Sequence, residues 1–353
     1  MAPAKESHSV SSSVLYRSMT RRRVVMLLGM TLAIIGALLL DFTMGATGLP
    51  LGQLIDTLLH PGDGAGNPIH VIVWDIRLPS ALMAVIVGMA LGLAGAEMQT
   101  ILNNPLASPF TLGLSSAAAF GASLAIVLNI GIPGLPPEWF ITLNAFVFAV
   151  ISALLLDAVA RWGGMSASGV VLFGIALVFS FNALVSLMQY IASAEALQGL
   201  VFWTMGSLSR STWAKVGALT LVLALILPLS LRNAWKLTAL RLGEDRAASF
   251  GIDLGRVRLG TLARISLLSA LAVSFVGTIG FIGLVAPHIA RRLFGEDHRF
   301  YLPGSALTGA LILSMASVAS KNIVEGSIVP VGIVTALVGI PFFLAVVLRR
   351  RLP

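Results

Sequence analysis

The sequence predicts an all-α membrane protein that crosses the bilayer about ten times. Of its 353 residues, 57% are hydrophobic and 11% are charged, whereas a soluble domain carries about 25% charged residues. The mean hydropathy is +0.94, and the apolar runs are continuous. These observations exclude a soluble globular enzyme, a disordered chain and a fibrous protein. They also exclude an outer-membrane barrel, whose strands alternate polar and apolar residues.

The apolar runs define a polar tail at 1–23, which ends in three arginines, and one transmembrane domain at 24–350. We expect the first run to be an uncleaved span, and residues 46–76 to form a loop with a short surface helix. Each span needs roughly 20 apolar residues. The predicted spans are 24–44, 78–101, 110–130, 139–160, 168–191, 213–231, 259–279, 281–294, 303–322 and 331–348. The eighth is short, and omitting it would leave nine.

The distribution of basic residues favours ten spans with both chain ends in the cytoplasm. Only Arg77, Arg210, Lys215 and Lys321 then lie near the outer side, as expected when cytoplasmic loops retain arginine and lysine. Nine spans would place the final arginine triplet outside. The net charge of +8 therefore indicates membrane orientation, and we expect no nucleic-acid partner, because the basic residues are scattered among loops.

The sequence carries no recognisable catalytic motif. It has no cysteine, no GxxxxGK[ST] loop for ATP, no HExxH and no GxSxG, and its five histidines lack ligand spacing. We therefore expect no catalytic residue, no metal site and no bound cofactor. A chain of this kind moves something across the membrane with energy supplied from elsewhere.

Residues 77–116 form the first informative stretch. Gly88 and Gly92 make a GxxxG pattern that lets helix backbones touch, and residues 103–109 predict a tight polar turn. Glu97 and Gln99 are unusual inside a span, because an intramembrane carboxylate is costly unless it faces a cavity or a partner. A role in a translocation pathway and a packed or snorkelling position both remain open for them.

The second stretch, residues 242–252, lies in the longest basic loop. Gly243 precedes the acidic residues Glu244 and Asp245, which favour a helix amino end, and Gly251 can stop the helix. The small residues Ala247 and Ala248 would suit a groove in another protein. A solvated helix that touches lipid headgroups explains the pattern equally well.

Two further stretches, 277–299 and 330–343, carry glycine and proline inside apolar runs, as helices do where they line a cavity or meet neighbours. Pro287-His288 lies in the first of them. A lone histidine such as His288 is more often packed and hydrogen-bonded than a ligand.

In combination, the four stretches resemble the FecCD family, the permeases of ABC importers for ferric siderophores, haem and cobalamin. The resemblance covers about residues 24–350. The family patterns RxPR…GxxLxxxGxxxQ…NPLAxPxxLG, LGEexAxxLG, FxGLxxPHxxRxxxGxDHR and PxGxxTAxxGxPxF are matched, in order, from Arg77 to Gly113, Leu242 to Gly251, Phe281 to Arg299, and Pro330 to Phe343. Three positions depart from the family: Ser80 replaces an arginine, Ser317 an aspartate, and Ile328 a glutamate.

The resemblance implies a permease fold like that of the cobalamin importer, in the bacterial cytoplasmic membrane. It implies a non-catalytic subunit that works with a second permease, identical or paralogous, two ATPase subunits that bind ATP-Mg, and a periplasmic or lipid-tethered binding protein. The residues assigned to ATPase coupling are Gly243, Glu244, Ala247, Ala248 and Gly251, on a helix near 243–252. The residues assigned to the pathway are Gln99, Glu97, Asn104, Pro105, Ser115, Ser116, Pro287 and His288, and those assigned to binding-protein docking are Arg77 and Lys321.

The cargo that the resemblance favours is a ferric siderophore, ahead of haem or cobalamin. Gln99 matches the family and is expected to face the interior, while Glu97, about 200° away around the helix, is left to a subunit contact or the inner gate. The alternative function is a secondary transporter driven by protons or sodium, which several paired intramembrane carboxylates would favour. Glu97 is the one serious candidate in the sequence.

Overall fold

The computed structural model describes residues 12–45, 48–60, 67–162 and 167–349, and every long element in these ranges is a helix, as predicted. The helices are α1 Ser12–Thr43, α2 Leu51–Leu59, α3 Pro68–His70, α4 Leu78–Ile101, α5 Leu114–Val127, α6 Pro137–Trp162, α7 Ala167–Ile191, α8 Ala194–Thr204, α9 Trp213–Arg232, α10 Ala234–Leu240, α11 Glu244–Ser249, α12 Leu254–Val276, α13 Ile282–Phe294, α14 His298–Ser320 and α15 Val331–Arg349. A π-helical turn, Val71–Arg77, joins α3 to α4.

A helix is present at each of the ten predicted spans. Among the described residues, seven helices are long and apolar enough to cross a membrane, and α5 and the apolar part of α15 are shorter. α13 has 13 residues and is therefore about 20 Å long, less than the roughly 30 Å hydrocarbon core. It cannot cross the bilayer alone, so the eighth predicted span is incomplete as a helix.

Several predicted boundaries were wrong. α1 begins at Ser12, so residues 12–23 extend the first span instead of forming a tail; residues 1–11 lie outside the described part. The predicted loop 46–76 contains α2, as expected of a surface helix, but its last part belongs to the continuous apolar helix Pro68–Ile101. Proline at the first helical position does not interrupt a helix, because its missing N–H has no partner there anyway.

Ion pairs show which helix ends lie together. Arg23 in α1 lies 3.7 Å from Asp297 at the start of α14, and Arg241, just before α11, pairs with Glu296 at 3.0 Å. The starts of α1 and α14 therefore share one side with α11, here called the α11 side. Because α14 runs away from this side and α15 runs back, Arg349 also lies on the α11 side. This arrangement agrees with an even number of crossings.

α4 lies at the centre and packs against α14, α12, α13 and α1. Its contact with α14 depends on small residues, as the GxxxG pattern predicts. A side chain on Gly88 would overlap the backbone carbonyl of Gly309, and one on Gly309 would overlap that of Gly88. One turn along, Gly92 meets the carbonyl of Ser305 in the same way. The two backbones are thus in direct contact.

This contact predicts that Gly309→Val will destabilise the protein by about 1–3 kcal/mol, the usual cost of overpacking. The control is Gly217→Val, because Gly217 in α9 has no neighbouring atom within 4 Å of an added side chain. Thermal unfolding of both purified variants in detergent measures the difference. Equal unfolding temperatures for the two variants would contradict the backbone contact.

Candidate functional site

The predicted coupling segment forms a helix with a glycine at each end. Gly243 has φ +107° and Gly251 has φ +76°, a region where a side chain strains the backbone. No atom lies within 4 Å of a Cβ built at either position. Backbone conformation, and not lack of space, therefore explains the two glycines that enclose α11.

The two alanines of α11 differ in burial. Ala247 is fully buried against the chain's own core, whereas Ala248 is exposed, together with Leu242 and Phe250. Ala247 thus packs inside its own chain and only Ala248 is open to a partner, while the coupling role of the segment stays a prediction. Glu244 pairs with Arg258 of α12, which holds α11 against the bundle. The exposed surface of this segment carries the apolar side chains of Leu242, Ala248 and Phe250 beside the charged side chains of Glu244, Asp245 and Arg246.

Glu97 is fully buried and forms an ion pair inside the chain. Arg264 of α12 donates to its Oε1 through Nη2 at 2.6 Å and Nε at 3.0 Å, and Nη2 also donates to Thr261 at 2.9 Å. Both donors reach the same carboxylate oxygen, and hydrogen bonds between charged groups are stronger than neutral ones. The carboxylate is thus covered by its own chain, and the subunit contact or inner-gate role expected of it stays a prediction.

Gln99 is also fully buried and points towards α13. Its Nε2 donates to the carbonyl of Leu284 at 3.3 Å, and its Oε1 accepts from Arg291 at 3.3 Å. Glu97 and Gln99 therefore contact different helices, as their divergence around α4 predicts. Gln99 fills the α4–α13 contact in this state, so it lines no open path here.

The predicted polar turn after α4 is present. The side chain of Asn104 accepts from the backbone of Leu106 at 2.9 Å, and Gly113 enters α5 with φ +91°. Beyond it, Ser115 is buried and Ser116 is half-buried. The turn therefore reverses the chain between α4 and the short α5.

The structure brings two predicted pathway residues from distant parts of the chain together. Pro105 and His288 line one recess, which Phe342 of α15 closes. The rings of His288 and Phe342 meet edge to face, with their centroids 6.1 Å apart. Pro287, next to His288, is buried within α13.

Arg77 and Lys321 were expected to dock a binding protein, but both are buried. Nη1 of Arg77 donates to the carbonyl of Thr43 at 3.0 Å. Lys321, with 5% of its side chain exposed, pairs with the buried Asp41 at 2.9 Å. The two residues tie the end of α1 to α4 and α14 on the side opposite α11. Neither side chain is exposed as a rim charge in this chain, and the docking role assigned to them stays a prediction.

Two departures from the family pattern meet in one place. Ser80 in α4 and Ser317 in α14, which replace an arginine and an aspartate, line the same cavity of about 230 Å³ on the side opposite α11. Ile328, the third departure, lines it as well. The three departures, distant in sequence, thus line one cavity, and spacing alone could not reveal this.

Sequence reasoning missed three charged residues that complete these contacts: Arg264, Asp41 and Arg241. The signal available for each was a charge inside or beside an apolar run, which the charge count assigned to loops. Asp297, on the α11 side, forms a further ion pair with Arg299. Arg299, hydrogen-bonded to Asp297, lowers the pKa of that carboxyl.

Comparison with known proteins identifies relatives over nearly the whole chain. The model of the FecCD transport family matches residues 30–349. The hemin transport permease HmuU of Yersinia pestis is 38% identical over 79% of this chain and 84% of its own length. The vitamin B12 import permease BtuC of Vibrio vulnificus is 34% identical over 91% of this chain and 94% of its own.

A solved structure shares the fold. It is described as an inward-facing conformation of a metal-chelate type ABC transporter, with a TM-score of 0.79 and 29% identity over 92% of this chain and 99% of its own. The predicted fold, similar to that of cobalamin importers, is confirmed by this match and by the vitamin B12 relative.

The Glu97–Arg264 pair predicts a strongly unequal response to single and double changes. Glu97→Leu leaves a buried guanidinium unpaired, which costs about 3–5 kcal/mol, whereas replacing both partners by apolar residues is often nearly neutral. We expect Glu97→Leu to unfold at a much lower temperature than Glu97→Leu with Arg264→Leu. If the double variant is no more stable than the single one, the pair does not carry the stability assigned to it.

The shared cavity predicts that charges placed at positions 80 and 317 will be coupled. Ser80→Arg alone adds a third cation to a cavity that Arg77 and Lys321 already line, whereas Ser317→Asp in the double variant supplies an acidic partner. A double-mutant cycle on unfolding temperature should give a coupling of about 0.5–3 kcal/mol in favour of the pair. Additive effects would show that positions 80 and 317 act independently.

Proposed function

Because the chain belongs to the FecCD transport family, the permeases of ABC importers, we propose that it imports an iron chelate, specifically a ferric siderophore. The complex is driven by ATP and supplied by a binding protein. This chain catalyses no reaction itself, since ATP-Mg is bound and hydrolysed in the partner ATPases. The α11 side faces the cytoplasm, with both chain ends, in the bacterial cytoplasmic membrane.

The exposed face of α11 is the observation that carries this proposal. Leu242, Ala248 and Phe250 present apolar surface next to a helix fixed by two left-handed glycines and by the Glu244–Arg258 pair. An apolar face at the end of a membrane bundle, beside charged residues, suits a protein groove. We assign this groove to an ATPase subunit.

The proposed cargo is supported by what the relatives transport and by the cavity opposite α11. A haem permease is 38% identical to the chain, so an iron chelate is a close precedent. Serine hydroxyls from positions 80, 207, 209, 317 and 320 line the cavity, together with apolar side chains. Hydroxyl groups suit the oxygen-rich surface of a siderophore better than the apolar face of a macrocycle.

The alternative, an ion-coupled carrier, is disfavoured by the pairing of the buried carboxylates. Glu97 and Asp41 are both fully buried, and each forms an ion pair, with Arg264 and Lys321 respectively. A carboxylate that carries protons or sodium across the membrane has to gain and lose its partner. These two are instead held by cations of the same chain.

Alternating access in the proposed complex requires two permease subunits around one path. The binding protein delivers the chelate to the outer side, and ATP binding and hydrolysis change the access of the path through α11. Gln99, Asn104, Pro105, Ser115, Ser116, Pro287 and His288 remain the proposed pathway residues. They extend from the α4–α13 contact to the recess beside Phe342.

The exposed face predicts that Ala248→Trp will block ATPase binding without unfolding the chain, because the side chain at 248 points away from the core. We expect copurification of the ATPase and cargo import to fall by at least about tenfold, as with a lost interface anchor. The control is Ala214→Trp, because Ala214 is another exposed alanine, at the start of α9 on the opposite side. Normal import by the Ala248 variant would remove α11 from the ATPase interface.

The proposed cargo is tested in proteoliposomes that contain the whole complex, with radiolabelled ferric siderophore, haem and cobalamin compared at equal concentration. We expect uptake of the siderophore that requires ATP and an active ATPase, and that persists with a protonophore present. Uptake abolished by the protonophore, but not by inactivation of the ATPase, would establish the ion-coupled alternative. Preference for haem or cobalamin would correct the cargo alone.

A further inference from the structure

The segment Gly295–Arg299, between α13 and α14, has no part in the proposed function so far, yet it forms a polar junction on the α11 side. Glu296 is its centre. Both Nε and Nη2 of Arg241 donate to this carboxylate, at 3.0 and 3.1 Å. Two parallel hydrogen bonds fix the direction as well as the distance between the partners.

A second guanidinium approaches the same carboxylate from α13. Nε of Arg291 lies 3.4 Å from Oε1 of Glu296, and its Nη2 donates to Gln99 at 3.3 Å and to the hydroxyl of Tyr301 at 3.1 Å. Arg241 and Arg291 therefore share one acidic partner. Through Arg291, that partner reaches the fully buried Gln99 in α4.

Neighbouring contacts hold the junction in place. The hydroxyls of Thr100 and Thr238 lie 2.8 and 3.1 Å from the two ring nitrogens of the buried His298. Nη1 of Arg241 donates to the side chain of Asn103 at 3.0 Å. These contacts join the ends of α4 and α10 to the start of α14.

This series of contacts begins beside α11 and ends between α4 and α13. Arg241 lies two residues before Gly243 and three before the start of α11, whereas Gln99 donates to the carbonyl of Leu284 inside the α4–α13 contact. Glu296 is 47% exposed in its side chain, and exposed pairs contribute little to stability. The two hydrogen bonds between Arg241 and Glu296 therefore matter more for coupling the positions of the two residues than for the stability of the fold.

We propose that Glu296 is a positioning residue that transmits the movement of α11 to the α4–α13 contact. A displacement of α11 moves Arg241. The two hydrogen bonds from Arg241 then pull Glu296 along, and Arg291, paired with Glu296, shifts against Gln99. The inference rests on the proposed ATP-driven function and concerns how ATP hydrolysis is coupled to import. It predicts that breaking the junction uncouples ATP hydrolysis from import.

The test is Glu296→Gln, which keeps the shape and removes the charge, in the full complex reconstituted in proteoliposomes. We expect ATP hydrolysis to continue while the ATP consumed per cargo imported rises about tenfold, the factor carried by a lost charged hydrogen bond. Arg241→Lys, which keeps the charge but loses the fork, should give an intermediate rise. The control is Asp253→Asn, since Asp253 forms an exposed pair with Arg256 on the same side but contacts neither Arg241 nor Arg291 in the described network.

The outcomes separate this inference from the proposed function. If the wild-type complex does not couple ATP to import, the proposed function fails. If wild type does so and Glu296→Gln shows the same ratio of ATP to cargo, the inference is overturned. A parallel fall of hydrolysis and import with an unchanged ratio overturns it too, because it would show that Glu296 only holds the complex together.

Discussion

Direct backbone contact between α4 and α14 is the constraint on which the rest of the structure depends. Gly88 and Gly309 leave no room for a side chain between the helices, so the central helix is held at a fixed depth and rotation. Van der Waals packing of this kind replaces the hydrophobic driving force that lipid cannot supply between helices. With α4 fixed, the polar residues near its end meet their partners on α12, α13 and α14.

Buried charges follow one rule in this molecule: the chain itself supplies their partners. Glu97 meets Arg264, Asp41 meets Lys321, and Arg77 donates to a helix-end carbonyl. Unpaired charge in a bilayer is costly, so each pair permits a polar group at a depth where an apolar residue is the default. Arg77 and Lys321, two of the basic residues that depart from the positive-inside pattern, therefore connect helices inside the chain.

The helices could be predicted from the sequence because a span requires a long apolar run, and such runs are visible without any tertiary information. The direction in which each side chain points could not be predicted from the sequence. Ala247 and Ala248 are adjacent and chemically identical, yet only the fold decides that one is buried and the other exposed. Likewise, Arg264 lies 167 residues from Glu97 along the chain, so neither residue indicates the other. Helix 68–77 was missed because its histidine, proline and aspartate resemble loop composition.

The connections of α11 explain why the end of α4 carries two polar side chains. One route runs from Glu244 to Arg258 on α12, and α12 reaches Glu97 through Arg264. The other runs from Arg241 through Glu296 and Arg291 to Gln99. Because residues 97 and 99 diverge by about 200° around the helix, the two routes hold α4 from opposite faces. The contact with α14 fixes the rotation of α4, so a displacement of α11 acts on the side-chain partners of Glu97 and Gln99 and not on the α4 backbone.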